Sequence, residues 1–205
     1  MTGRERVLGM LLAACPAVVF AECWQPDTAP SQVVFVASQA GAPFEGSFRS
    51  FSGCICLDPA NPEVGNIEIT IDTAAVDTGI PEFDDALRGA DFFDVTRWPT
   101  AHFSSTGIKS TGDGKFSVGG NFTLRDITRE IEVPFSMAPA QGGGMQISGE
   151  TVIKRLDYNI GLGEWRDTRW VGDEVTLRFN VALTPDQNGD KGVGATAPTP
   201  ATSGN

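Results

Sequence analysis

Residues Ile67 to Asp72 read IEITID, with Ile67, Ile69 and Ile71 at alternate positions and Glu68, Thr70 and Asp72 between them. A period of two puts one set of side chains on each face of an extended chain, so the segment is a β-strand with one apolar and one wet face. The pattern recurs upstream in VVFVA (Val33 to Ala37). Downstream it returns with Phe116 and Val118 then Phe122 and Leu124, with Ile131, Val133 and Phe135, and with Val175, Leu177, Phe179, Val181 and Leu183. Turn-forming runs separate these segments: Gly41-Ala42-Pro43, Asp58 to Pro62, Gly112-Asp113-Gly114, Arg125-Asp126 and Gln141 to Gly144. Medium strands joined by short turns pair antiparallel, which predicts an all-β domain, either a sandwich or a closed up-and-down barrel.

Two local features refine this reading. Between Phe44 and Leu57 the alternation slips, because Phe44 and Phe48 share one parity while Phe51, Ile55 and Leu57 share the other. A bulge near Arg49 and Ser50 reconciles them, and bulges are how long strands bend in barrels. Only Pro81 to Arg88 reads as helical. Proline suits the first turn, Glu82, Asp84 and Asp85 suit the positive end of the helix dipole, and Phe83 and Leu87 make an apolar stripe to cover a sheet or a barrel mouth.

Length and charge bound the function. A chain of 205 residues holds one ordinary domain, and a net charge of −11 without a basic cluster argues against a nucleic-acid partner. Residues 1–21 carry two arginines, an apolar run from Val7 and the small-residue ending Val19-Phe20-Ala21, so they read as a secretory signal peptide. Leu12-Ala13-Ala14-Cys15 also has the form of a lipoprotein signal, but the apolar stretch before Cys15 is short and continues past it. Residues 22–184 form the expected domain, and 185–205, rich in Pro, Gly, Thr and Ser, an unstructured tail.

Export makes oxidised cysteines the expectation. Cys54 and Cys56 lie two apart on one strand face, a poor geometry for bridging each other, so the expected disulfide joins Cys23 to one of them and leaves one thiol free. As a soft-metal site, Cys54-Ile55-Cys56 lacks a second pair of ligands. The segment DFFDVTRWPTAHFSS, Asp91 to Ser105, contains the only histidine, His102. A single imidazole without an activated nucleophile reads as structural. Asp84, Asp85, Asp91 and Asp94 match no calcium loop, and Asp186 to Asp190 (DQNGD) lacks the distal glutamate of one. No catalytic and no metal-binding residue is assigned.

Thirteen phenylalanines against one tyrosine suit a dry interior, and Phe92, Phe93, Trp98, Phe103, Trp165 and Trp170 stand out. Periodicity alone leaves open a packed sandwich core or a lumen holding an apolar ligand.

The order of segments resembles the YceI-like family of exported, lipocalin-shaped proteins. The matching pieces are SQVVFVASQAGAPFEGSF, FSGCICLDP, DTGIPEFDDALRGADFFDVTRWPTAHFSS, VGGNFTLRDITREIEVPF, YNIGLGEW and VGDEVTLRFNVAL. The resemblance runs from about Trp24 to Leu183. It implies an all-β, elongated, antiparallel lipocalin-like barrel of about eight strands with one short helix. It also implies a bacterial periplasmic location, a non-catalytic role, and a long isoprenoid or similar lipid in the lumen.

Cofactors are none beyond such a ligand, an isoprenoid, quinone or fatty-acyl species. The lumen candidates, named by parity and aromatic character, are Phe35, Phe48, Ile69, Phe92, Phe93, Phe103, Phe122, Leu124, Val133, Phe135, Trp165 and Phe179. The rival expectation is a redox or interaction module working with a membrane electron-transfer or lipid-handling partner through Cys54 and Cys56 or a bound quinone. Oligomeric state is left open, a dimer included. Two departures from the family pattern stand out: the cysteines of FSGCICLDP, and Arg125 with Asp126 where a turn glycine usually sits.

Overall fold

Ile67, Ile69 and Ile71 share the inner face of β4 (Asn66–Asp72), one stave of a closed antiparallel barrel in the computed structural model, which describes residues 22–58, 61–140 and 144–186. The signal-peptide reading, Cys15 and most of the tail lie outside the described residues. The other strands are β1 (Glu22–Gln39), β2 (Ala42–Phe48), β3 (Phe51–Leu57), β5 (Val76–Asp77), β6 (Thr100–Gly112), β7 (Lys115–Leu124), β8 (Ile127–Pro139), β9 (Met145–Lys154) and β10 (Glu174–Pro185). Hydrogen-bonded neighbours run β1, β3, β4, β6, β7, β8, β9, β10, and β10 pairs back onto β1, which closes a ring of eight. Closure leaves no sheet edge in that ring to be satisfied by another chain.

β2 and β3 are one bent stave. β2 pairs with the second half of β1 and β3 with its first residues, and the bend falls at Arg49 and Ser50, where the parity slips. Arg49 N donates to Ala75 O (3.1 Å) and Asp72 N to Ser50 O (2.9 Å), so β4 and β5 bend alongside it.

Two apolar clusters fill the barrel from opposite ends. At one end Trp24, Leu57, Ile108, Phe116 and Leu183 pack into a plug, with Leu57 and Leu183 each only 1% exposed. Burying a leucine this far contributes about 1.5–3 kcal/mol. At the other end Phe35, Phe48, Val76, Leu87, Phe93, Tyr158 and Ile160 gather under α1 (Pro81–Arg88) and the loops 89–99 and 155–173.

The helix lies where its sequence places it. Leu87 is buried and Phe83 stands at the rim, its ring edge-on to Phe44 at 6.4 Å. Asp84 does more than favour the helix dipole: it is buried, and its Oδ1 accepts from Thr78 N and Thr78 Oγ1, both at 2.7 Å. The sequence reading saw no further helical turns, but short 3-10 turns occur at Pro62–Val64, Thr73–Ala75, Arg155–Tyr158 and Gly163–Arg166.

The β7–β8 hairpin turns on Arg125 and Asp126, with Arg125 in the left-handed region at φ 56°. Glycine reaches that conformation without steric cost, whereas a residue with Cβ needs compensation. Here the compensation is tertiary, because the Arg125 side chain is buried under the loops of the same barrel end.

The Cys23–Cys56 bridge forms because the two residues are direct register partners across β1 and β3. Cys54 stays free and half-buried, its Sγ 3.4 Å from that of Cys56.

Candidate functional site

Inward-facing side chains of all eight staves enclose a cavity of about 210 Å³ running from Ile55 and Ile67 near the plug to Leu87 and Phe93 under the helix. The side chains that meet this space present apolar surface to it throughout. Such a space offers a ligand desolvation and dispersion but no hydrogen bonds, and so selects hydrocarbon over any polar group.

Two buried arginines hold the capped end closed. Arg155, 3% exposed, follows β9 and borders the cavity. Its Nε donates to Gly172 O (2.8 Å), Nη1 to Ile160 O (2.7 Å) and Gly161 O (3.3 Å), and Nη2 to Trp165 O (2.7 Å) and Val171 O (2.6 Å). Five carbonyls from one loop thus converge on one planar donor, a match to the fixed fork of guanidinium that no other side chain makes. Burial pushes the Arg155 pKa down, and nearby Asp173 pulls it back up. Gly161, at φ 77°, lies so close that a Cβ there would collide with Nη1.

Arg125 does the same for the neighbouring loop. Its Nη1 donates to Phe92 O (2.9 Å) and Asn159 O (2.7 Å), and its guanidinium stands 4.6 Å from the centre of the Trp98 ring. Gly161 N and Leu162 N donate to Asp91 O at 2.7 and 2.9 Å, tying the two loops together.

Tyr158 packs edge-on to Phe122 at 5.5 Å, is 2% exposed, and its hydroxyl has no hydrogen-bond partner among the described residues. Burial, with the charge of Asp157 adding and that of Arg129 opposing, pushes its pKa up to about 12. Because the folded value exceeds the unfolded one, this contribution to stability is complete below about pH 10 and is lost as pH rises through 12. Tyr158 is the only tyrosine, so tyrosinate absorbance during an alkaline titration reports it alone. We expect no ionisation below about pH 11 and then joint ionisation and unfolding; an ordinary, reversible titration near pH 10 in the folded protein would contradict this environment.

Of the residues singled out from the sequence, Phe35, Phe48, Ile69, Phe92, Phe93, Phe103, Phe122, Leu124, Val133, Phe135 and Phe179 all line the cavity. Trp165 does not. It sits in the 3-10 turn Gly163–Arg166, where strand parity has no meaning, and it packs outside against Phe92 at 5.7 Å. Phe93 turns inward against Phe48 at 5.8 Å, and Phe92 joins the cavity to the loop layer. Phe44, Phe51, Arg125 and Arg155 were not singled out as site residues. Phe44 and Phe51 lay in the parity-slipped stretch, and no sequence signal marks a surface-type residue such as arginine for burial.

His102 lies on the face opposite Ala101 and Phe103, outside the barrel, with Nε2 3.0 Å from Glu68 Oε2 and Nδ1 3.2 Å from Thr70 Oγ1. Ser104 Oγ donates to Glu68 Oε1 at 2.6 Å. Serine and histidine therefore both engage the carboxylate rather than each other, which is not the order an activated nucleophile needs.

A ring of eight antiparallel strands around an apolar cavity, capped by loops at one end, defines the class of lipocalin-like barrels. Within it, the chain belongs to the YceI-like domain family, whose pattern matches residues 24–183. A UPF0312 protein of Azotobacter vinelandii is 36% identical over 141 residues, covering 66% of this chain and 71% of that one. A UPF0312 protein of Ectopseudomonas mendocina is also 36% identical, over 120 residues that make up 56% of this chain and only 63% of the relative, so the likeness to it spans less than two thirds of its length. Among solved structures, BcnA of Burkholderia cenocepacia superposes with a TM-score of 0.75 at 36% identity, covering 78% of this chain and 99% of BcnA. A polyisoprenoid-binding domain from Saccharophagus degradans shares the fold at 16% identity, with a TM-score of 0.65 over 81% of this chain and 99% of that domain.

Proposed function

We propose that the protein is a non-catalytic carrier that holds the hydrocarbon portion of a long-chain lipid, an isoprenoid, quinone or fatty-acyl species, in its barrel lumen in the bacterial periplasm. The observation that carries this reading is the apolar surface that all eight staves present to the lumen. Family membership supports it, as does the ligand for which the Saccharophagus degradans domain is named. The energetics suffice, since each methylene moved from water into such a space contributes about 0.8 kcal/mol. The cavity of about 210 Å³ is smaller than the ~300–1,000 Å³ of ordinary small-molecule sites, so a long chain enters by displacing side chains or by leaving its head end outside. Native mass spectrometry of protein from the exporting cell, followed by organic extraction, tests the proposal. A stoichiometric mass that extracts as one of these lipids supports it; a barrel that comes out empty and takes up no added prenol refutes it.

One observation favours a second reading, a thiol-based redox or interaction module beside a membrane partner. Cys23, Cys54 and Cys56 bring their sulfurs within 4.8 Å of one another. Burial, reinforced by the charge of Asp186, raises the Cys54 pKa and keeps the thiol protonated at neutral pH. We therefore expect the label uptake that distinguishes the native protein from Cys54→Ser to be slower at neutral pH than for a free cysteine and to speed up in alkali. Fast labelling at pH 7 would return weight to the thiol reading.

A further inference from the structure

Three inward glycines of the barrel share one kind of neighbour: Gly46 on β2, Gly120 on β7 and Gly149 on β9. Each is covered by a phenylalanine from the adjoining strand. Phe35 is the direct register partner of Gly46 and Phe179 that of Gly149, while Phe103 reaches diagonally over Gly120. A Cβ at Gly46 would collide with Phe35 Cζ and one at Gly120 with Phe103 Cζ, and one at Gly149 would come within 2.7 Å of Phe179 Cζ. The three rings occupy the space that a side chain at each glycine would need, and all three line the cavity.

We propose that Gly46, Gly120 and Gly149 set the bore of the lumen and through it the choice of cargo, admitting a single flexible hydrocarbon chain and excluding fused-ring amphiphiles. The inference rests on the lumen-binding reading above. Its magnitude follows from size: a cavity of about 150 Å³ houses one benzene molecule, so one phenyl ring turned off the wall would take up most of the 210 Å³ present. The lining stretches from plug to cap around this small volume. A flexible chain can spread along such a lining, and a rigid polycycle cannot bend to follow it.

Gly46→Ala is the cleanest probe, because the new methyl would meet only side chains, the Phe35 ring and Thr78 Cγ2, whereas at Gly120 and Gly149 it would also strike the carbonyls of Ser104 and Pro134. The experiment titrates full-length protein, delipidated and checked for folding by circular dichroism, with geranylgeraniol, stearate and cholesterol. We expect the native protein to bind the two chains and not cholesterol. In Gly46→Ala, geranylgeraniol affinity should fall at least about tenfold, the scale of overpacking a filled core by one methyl. The double variant Gly46→Ala/Phe35→Leu should recover it to within about threefold, because the smaller side chain clears the lumen. Phe35→Ala alone, checked for folding in the same way, should admit cholesterol. Undiminished chain binding by a folded Gly46→Ala, no recovery in the double variant, or native binding of cholesterol as tight as of the chains overturns the bore assignment while leaving the carrier reading intact. Native protein that binds none of the three overturns both.

Discussion

Replacing Arg155 by lysine is expected to unfasten the capped end of the barrel and cost about 3–5 kcal/mol of stability. The guanidinium satisfies five loop carbonyls, and an ammonium with three donors at a single point cannot span them. Each buried acceptor left without a donor costs about 1–3 kcal/mol, reduced where water reaches the opened loop. Arg155→Met should be at least as damaging, since it removes every donor. Urea denaturation measures the loss, and hydrogen exchange should show protection vanishing first in residues 156–172 while β7 and β8 stay protected. An Arg155→Lys protein within about 0.5 kcal/mol of the native one would mean that the five bonds are ornamental and something else fastens the loop.

The second large effect concerns cargo. Phe179→Asp should weaken retention of a bound chain by at least about a hundredfold. Phe179 presents its ring to the lumen above Gly149, and losing that contact forfeits about 1.5–3 kcal/mol. A carboxyl group facing hydrocarbon adds roughly 2 kcal/mol or more, and each 1.4 kcal/mol is a factor of ten. Because Phe179 is only partly buried, the fold should survive the change better than at Phe122, which is 6% exposed. Geranylgeraniol retained through gel filtration gives the readout, with Phe179→Leu as the apolar control. Equal retention by a folded Phe179→Asp would sink the lumen proposal.

Much of this architecture was legible in the chain. Alternation at Ile67, Ile69 and Ile71 marked the inner face of β4, and the parity slip between Phe48 and Phe51 marked the bend at Arg49 and Ser50. Proline and three acids marked α1 to the residue, from Pro81 to Arg88. Parity also put Phe103, Phe122, Phe135 and Phe179 on the cavity side, because along a strand the period of two is local and survives any tertiary arrangement. It failed at Trp165, which lies in a 3-10 turn with a different period.

What the sequence by itself determined was therefore the set of faces: which residues point together along each stave, and that those faces are apolar enough to demand a partner. Only the tertiary structure decided how the faces meet. Closure of β10 onto β1 distinguishes a barrel from a sandwich, and the register of β1 with β3 selects Cys56 over Cys54 for the bridge to Cys23. The burial of Arg125 and Arg155 depends on loop carbonyls up to 34 residues away. The meaning of Gly46, Gly120 and Gly149 likewise lies in the ring that arrives from the next strand. Side-chain alternation is written within a few consecutive residues, whereas register, closure and convergence of carbonyls are relations between distant segments, which exist only once the chain has folded around them.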